Sequence, residues 1–146
     1  MTEHVGQLLA EAILKKMLEA DAFSRWLGVS ILDVAPGMCT ITMNVRTEMV
    51  NGFGTSHGGI VYSLADSAFA FAVNSTGNVA VAVDCTMSYP VAVLPGDVLT
   101  ARAVEQSRTR NLAFCEVVVT NQGGIVVGLF RGTAYRTSRE HFPTTS

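Results

Sequence analysis

The chain has 146 residues, 49% of them hydrophobic and only 15% charged, with ten Lys and Arg against twelve Asp and Glu for a net charge of −2. That length suits one domain with a substantial core, and the lack of any basic run excludes a surface that tracks a phosphate backbone, so nucleic acid is not an expected partner. So much apolar surface on so short a chain predicts burial in an oligomer.

In chain order, Gly6 to Ala20 sets Leu8, Leu9, Ile13, Met17 and Leu18 on one stripe at helical spacing, and Asp21 then caps a second, short helix through Trp26. This predicts an N-terminal helical segment over residues 1–27. The period changes after Gly28, where Ile31–Val34 and Cys39–Val45 flank a turn at Pro36-Gly37, a hairpin signal. A loop from Arg46 to Ser56 leads into an apolar helix that runs to Val73. Strands are predicted at 79–89, 98–106, 112–120 and 125–136, with turns at Pro95-Gly96-Asp97 and Asn121–Gly124, and residues 138–146 read as a polar tail. The pattern is α+β: a curved antiparallel sheet around one helix that needs cover on most of its circumference.

The nearly apolar stretch from Gly58 to Val73 is interrupted by Asp66 and is too short for a bilayer core of roughly 30 Å, so no membrane span is expected. Met1-Thr2-Glu3-His4 carries no basic n-region, and the odd set Cys39, Cys85 and Cys115 reads as reduced structural thiols. Together they lead us to expect a cytoplasmic protein.

Asp66 is the anomaly, a lone carboxylate in a helix that is apolar on nearly every face. Burying it costs several kcal/mol unless a partner or a chemical role accounts for it. No G-x-S-x-G elbow, P-loop or zinc spacing is present, and a dinucleotide loop beginning at Gly52 would put its third glycine at His57. The turn Gly52-x-Gly54 … His57-Gly58-Gly59 does place free backbone N–H groups at a helix start, which suits an oxyanion. His57 reads first as a capping or packing histidine and second as an acid or base. Gly58 and Asp66 are eight residues apart, about 12 Å along a helix, too far to share one reacting carbonyl. Two antiparallel copies of the helix, meeting across a two-fold axis, bring Gly58 of one chain to Asp66 of the other. An amide and a carboxylate without an obvious general acid suit a substrate whose leaving group departs unaided, and a thiolate is one.

The residues Asn51-Gly52, His57-Gly58-Gly59 and Ser63-Leu64-Ala65-Asp66, with the Pro95-Gly96-Asp97 turn and Phe130-Arg131-Gly132, resemble hotdog-fold acyl-CoA thioesterases of the PaaI-like type. The resemblance implies a helix wrapped by a sheet, sheets joined in a homodimer, a homotetramer built from dimers, and hydrolysis of a small or medium acyl-CoA with an aromatic, phenylacetyl-type acyl group. It implies Asp66 as base or nucleophile, Gly58 as oxyanion donor and Asn51 as a positioning residue, although Asn51-Gly52 also reads as a plain turn. His57, Gly59 and Ser67 are then expected at the substrate, with Arg108 and Arg110 for the CoA phosphates and Arg136 and Arg139 behind them. No metal or cofactor is expected, CoA being part of the substrate. Asp84, in the run Val81-Ala82-Val83-Asp84, reads as a pairing or interface group. A non-catalytic acyl-CoA-binding protein and a hotdog enoyl-CoA hydratase or dehydratase remain as alternatives.

Overall fold

The computed structural model describes residues 1–145. Helix α1 (Thr2–Ala20) and the short α2 (Ala22–Leu27) precede a hairpin of β1 (Ser30–Ala35) and β2 (Met38–Asn44), and the long helix α3 (Gly58–Asn74) precedes β3 (Asn78–Ser88), β4 (Val98–Arg108), β5 (Leu112–Thr120) and β6 (Val126–Glu140). All pairings are antiparallel, in the order β1-β2-β4-β5-β6-β3.

The alternation predicted for half-buried strands is clearest in β4 and β5. Leu99, Ala101 and Ala103 on β4, with Ala113, Cys115, Val117 and Val119 on β5, point inward, and their neighbours point to the outer face. The inner face wraps α3, whose Val61, Leu64, Phe69 and Phe71 are buried against Ile41, Met43, Leu99 and Phe130. The sheet lies tight against the helix at Gly132, where a side-chain methyl would lie 2.9 Å from the Phe69 ring and 3.0 Å from that of Phe130.

Helix α3 is not covered all round, as its hydropathy suggests. Tyr62, Ser63, Asp66 and Ala70 form a half-buried face, and Asp66 lies on it. The sequence average marks the helix as central, but within one chain that face has no covering layer. Beside it runs β3, a long strand paired on one side only, with Val81 51% and Val83 58% exposed. Such an edge is a template for a further strand. Asp84 sits on β3 opposite Thr133, while its neighbour Cys85 pairs with Gly132 and faces the helix, so Asp84 looks outward.

The expected tail is corrected in its first half: Ser138–Glu140 extend β6, and His141 returns to the body of the fold. Its N–H donates to Gly77 O (2.9 Å), its Nε2 meets Asn74 Oδ1 (2.7 Å), and Lys16 stands over the Phe142 ring at 4.7 Å. The final tail residue, 146, lies outside the described residues. Cys39 and Cys115 are buried free thiols whose pKa is pushed up to about 12, chiefly by burial, which leaves them inert.

Candidate active site

The N-terminus of α3 is held from three directions. Ser56 N–H donates to Val93 O (2.7 Å) and His57 N–H to Met49 O (2.8 Å), while the loop before them is tied by Asn51. The Asn51 backbone donates to Thr55 O (2.7 Å), and its Oδ1 accepts from Phe53 N–H (2.8 Å) and Thr55 N–H (3.3 Å). Its Nδ2 donates to Thr55 Oγ1 (3.1 Å), so the whole Asn51 side chain is committed to building its own turn.

His57 is the N-cap: its Nδ1 accepts the Gly59 N–H at 2.9 Å, which leaves the ring proton on Nε2. Gly59 makes this possible, because a methyl there would lie 3.0 Å from Nδ1. With Gly59 capped, the Gly58 N–H has no partner among the described residues and is the free amide at the positive end of the helix. Sequence reasoning missed Tyr89, just beyond β3. Its hydroxyl donates to Gly58 O at 3.1 Å, and its ring lies where a Gly58 methyl would touch Cζ at 3.4 Å. Nothing in the local sequence marks Tyr89; only the return of β3 alongside the start of α3 brings it there.

Asp66, two turns along, receives no hydrogen bond and makes no ion pair among the described residues. Burial first, and the Asp21 carboxylate second, hold its carboxyl above the usual aspartate range. Tyr62 on its own helix and Cys85 on β3 are the other titratable neighbours, and both are pushed up mainly by burial, with Asp66 a lesser cause. Asp21 is fixed by the cap of α2. Its Oδ1 accepts Ser24 N–H (2.9 Å), and its Oδ2 accepts Ser24 O–H (2.6 Å). Ser24 Oγ in turn lies 2.8 Å from Ser67 Oγ in a buried contact. The Ser67 hydroxyl, expected at the substrate, is thus engaged in the joint between α2 and α3.

Beside the cap lies a cleft of about 360 Å³ lined by Phe23, Trp26, Glu48, Met49, Val50, His57, Gly59, Ile60 and Ser63. Phe23 and Trp26 stack at 5.9 Å, and Arg46 stands 5.0 Å from the Trp26 ring while donating to Trp26 O (2.8 Å) and Leu27 O (3.1 Å). The sequence marks α2 only by its cap, so this aromatic wall was not foreseen.

The expected arginines lie elsewhere. Arg108 is paired with Glu105 through two bonds (2.6 and 3.0 Å). Both Arg108 and Arg110 sit at the β4–β5 turn, at the end of the sheet where α3 finishes rather than where it starts: Gly37, beside Glu105, donates to Ser75 Oγ at 2.7 Å. Within one chain neither arginine reaches Gly58.

A long helix with one free amide at its start, held inside a curved antiparallel sheet, is the hotdog fold. The thioesterase superfamily model matches residues 53–127, and the chain belongs to that superfamily and is a thioester hydrolase. Within it the chain is of the PaaI type. It is 39% identical to the acyl-coenzyme A thioesterase PaaI of Escherichia coli over 82% of this chain and 86% of that protein. The solved structure of PaaI from the E. coli phenylacetic acid degradation operon superposes with a TM-score of 0.90 at 36% identity, covering 92% of this chain and 97% of the other. A hypothetical thioesterase protein from Streptococcus pneumoniae, solved with coenzyme A, matches with a TM-score of 0.74 at 27% identity over 76% and 90% of the two chains.

Proposed function

We propose that the protein hydrolyses acyl-CoA thioesters with a small aromatic acyl group, of phenylacetyl type, to the free acid and CoA. The observation that carries this reading is the free Gly58 amide beside the Phe23–Trp26 cleft: the thioester oxygen is held at Gly58 N–H, and the acyl group enters the cleft. Asp66 of a second copy, brought up by two-fold pairing, activates water as general base or attacks the carbonyl directly, and the thiolate leaves without an acid. Asn51 acts by shaping the loop that presents Gly58, and His57 by capping Gly59 so that Gly58 is left free. The scheme uses no metal and no cofactor beyond the CoA of the substrate.

The working unit is a homodimer joined through the β3 edges, with dimers assembling into a tetramer; the unpaired edge and the half-open α3 face support this. A hydratase needs an imidazole free to converge with a carboxylate on the acyl chain, and the engagement of His57 Nδ1 weighs against it. The test is release of CoA thiol from a thioester panel. Phenylacetyl-CoA is expected to be turned over with a higher kcat/KM than long-chain acyl-CoA. Hydration of an enoyl-CoA without thiol release would overturn the assignment.

The electrostatics of Asp66 add a second expectation. A base works deprotonated, so a raised pKa puts the acid limb of the kcat/KM profile above the usual aspartate range, and activity falls as pH drops through it. Asp21→Asn keeps a good N-cap but removes the nearby negative charge, so the limb should move to lower pH. A limb that stays in place would show that Asp21 does not act on Asp66.

A further inference from the structure

We infer that Arg46 sets the acyl-group selectivity of this enzyme by acting through Trp26: it pins the end of α2, so that the Phe23–Trp26 wall keeps the cleft beside α3 in one shape. This rests on the acyl-CoA reading and adds to it the residue that positions the acyl-binding wall.

Helix α2 has only six residues, far fewer than the roughly 12–15 that an isolated helix needs in water. Its first turn is anchored by the Asp21 cap and by the buried contact of Ser24 with Ser67, and Leu27 is buried at its end. The side that carries Phe23 and Trp26 has no such anchor, both rings being about half exposed. The chain leaves the helix through Gly28 in the left-handed region (φ 80°), whose N–H returns to Arg25 O and Ser24 O. Trp26 O and Leu27 O are therefore left without partners inside the helix.

Arg46 satisfies both. Its Nη2 donates to Trp26 O (2.8 Å) and its Nη1 to Leu27 O (3.1 Å), at the negative end of α2, while its Nε donates to Glu48 Oε1 (2.7 Å). The guanidinium carbon also lies 5.0 Å from the centre of the Trp26 ring. One planar group thus joins the end of α2 to the turn Thr47–Met49, and both segments line the cleft. The rigid fork of a guanidinium makes this possible; the ammonium of a lysine is a single point charge on a flexible stem. The base of Arg46 is itself fixed. Val45 before it is buried, its N–H donates to Asp97 O (2.9 Å), and its O accepts Gly96 N–H (2.8 Å). A flat ring packs on Trp26 only while that wall stands still, whereas an alkyl chain fills a slack cleft as well as a shaped one. Arg46 then favours aromatic acyl groups without touching them.

The test compares kcat/KM for phenylacetyl-CoA and octanoyl-CoA. Arg46→Met keeps an apolar stem over Trp26 but loses the donors. It is expected to cut the preference for the phenylacetyl thioester by roughly tenfold, at the low end of what a shaped apolar pocket discriminates. The loss should fall in KM with kcat nearly unchanged, since Gly58 and Asp66 are untouched. Arg25→Met, the same change one residue before Trp26 but lining a different cavity with Leu14 and Leu18, is expected to leave the preference intact. Trp26→Ala should lose the preference as Arg46→Met does, and the double variant should be no worse than either. A further loss from Arg46→Met in the Trp26→Ala background would show that Arg46 acts by another route and overturn the proposal. An equal fall in kcat for both thioesters would mark Arg46 as merely structural and overturn it too.

Trp26 is the sole tryptophan, so intrinsic emission reports on the wall alone and needs no turnover. Phenacyl-CoA, a thioether that cannot be hydrolysed, is expected to change that emission saturably in the wild type, with free CoA giving no change. Arg46→Met should weaken the response by the same factor as the KM effect. Thiol release without any emission response overturns the wall and spares the thioesterase reading. An emission response from an enzyme that releases no thiol does the reverse.

Discussion

Asp66→Asn is expected to lower kcat for thioester hydrolysis by roughly 10²- to 10⁴-fold, the range over which a general base acts, while raising Tm. Both halves follow from the same geometry. The carboxylate lies on a half-buried helix face with no donor among the described residues, and burial and Asp21 both disfavour its charge. A neutral amide of the same shape removes that penalty and with it the only ionised base on the face. A residue kept for stability would behave the other way, losing Tm and keeping turnover. Thiol release and thermal melts on one preparation decide the matter, and turnover within a few-fold of wild type would sink the mechanism.

Gly132→Ala is expected to cost substantial stability through a single methyl. Its Cβ would lie 2.9 Å from two atoms of the Phe69 ring and 3.0 Å from Phe130, rings that are 1% and 3% exposed and so have little room to yield. Overpacking of this kind costs about 1–3 kcal/mol. At about 3–4 °C per kcal/mol for a chain of this size, Tm should fall by roughly 3–12 °C. Phe69 belongs to α3, so the strain also pushes the helix off the sheet and shifts Asp66. Activity measured well below Tm should therefore fall as well. By contrast, a methyl at Gly58 meets Tyr89 at ordinary van der Waals distance and is expected to leave Tm nearly unchanged.

Most of the framework could be read from period alone. The strand predicted at 112–120 is β5, and the helix predicted from the glycine turn is α3. What escaped were features made by the meeting of distant segments. Hydropathy averages a helix over all its faces, so α3 reads as needing cover on most of its circumference, without showing that the open side is the one carrying Tyr62 and Asp66. Strand period puts Glu105 and Arg108 on opposite faces, but the bulge between Glu105 and Ser107 restores them to one side and closes the ion pair that neutralises Arg108. Tyr89 and the Phe23–Trp26 wall reach the site only through tertiary contact. Asn51 shows the converse: its plain turn reading describes what its side chain does here, and its service to the site is through the loop.

Sheet order carries one more consequence, for how the chain is made. On the ribosome β3 is the third strand to emerge, yet its sole neighbour within the chain is β6, the last of the six. The β1–β2 hairpin closes locally, and β4 can join β2 as soon as it appears. β3, with Val79, Val81 and Val83 in one short run, has to wait until about forty more residues have been threaded past it. The strand left with one open edge within the folded chain is thus open on both edges during synthesis, the interval in which the nascent chain is most exposed to mispairing with its neighbours on a polysome.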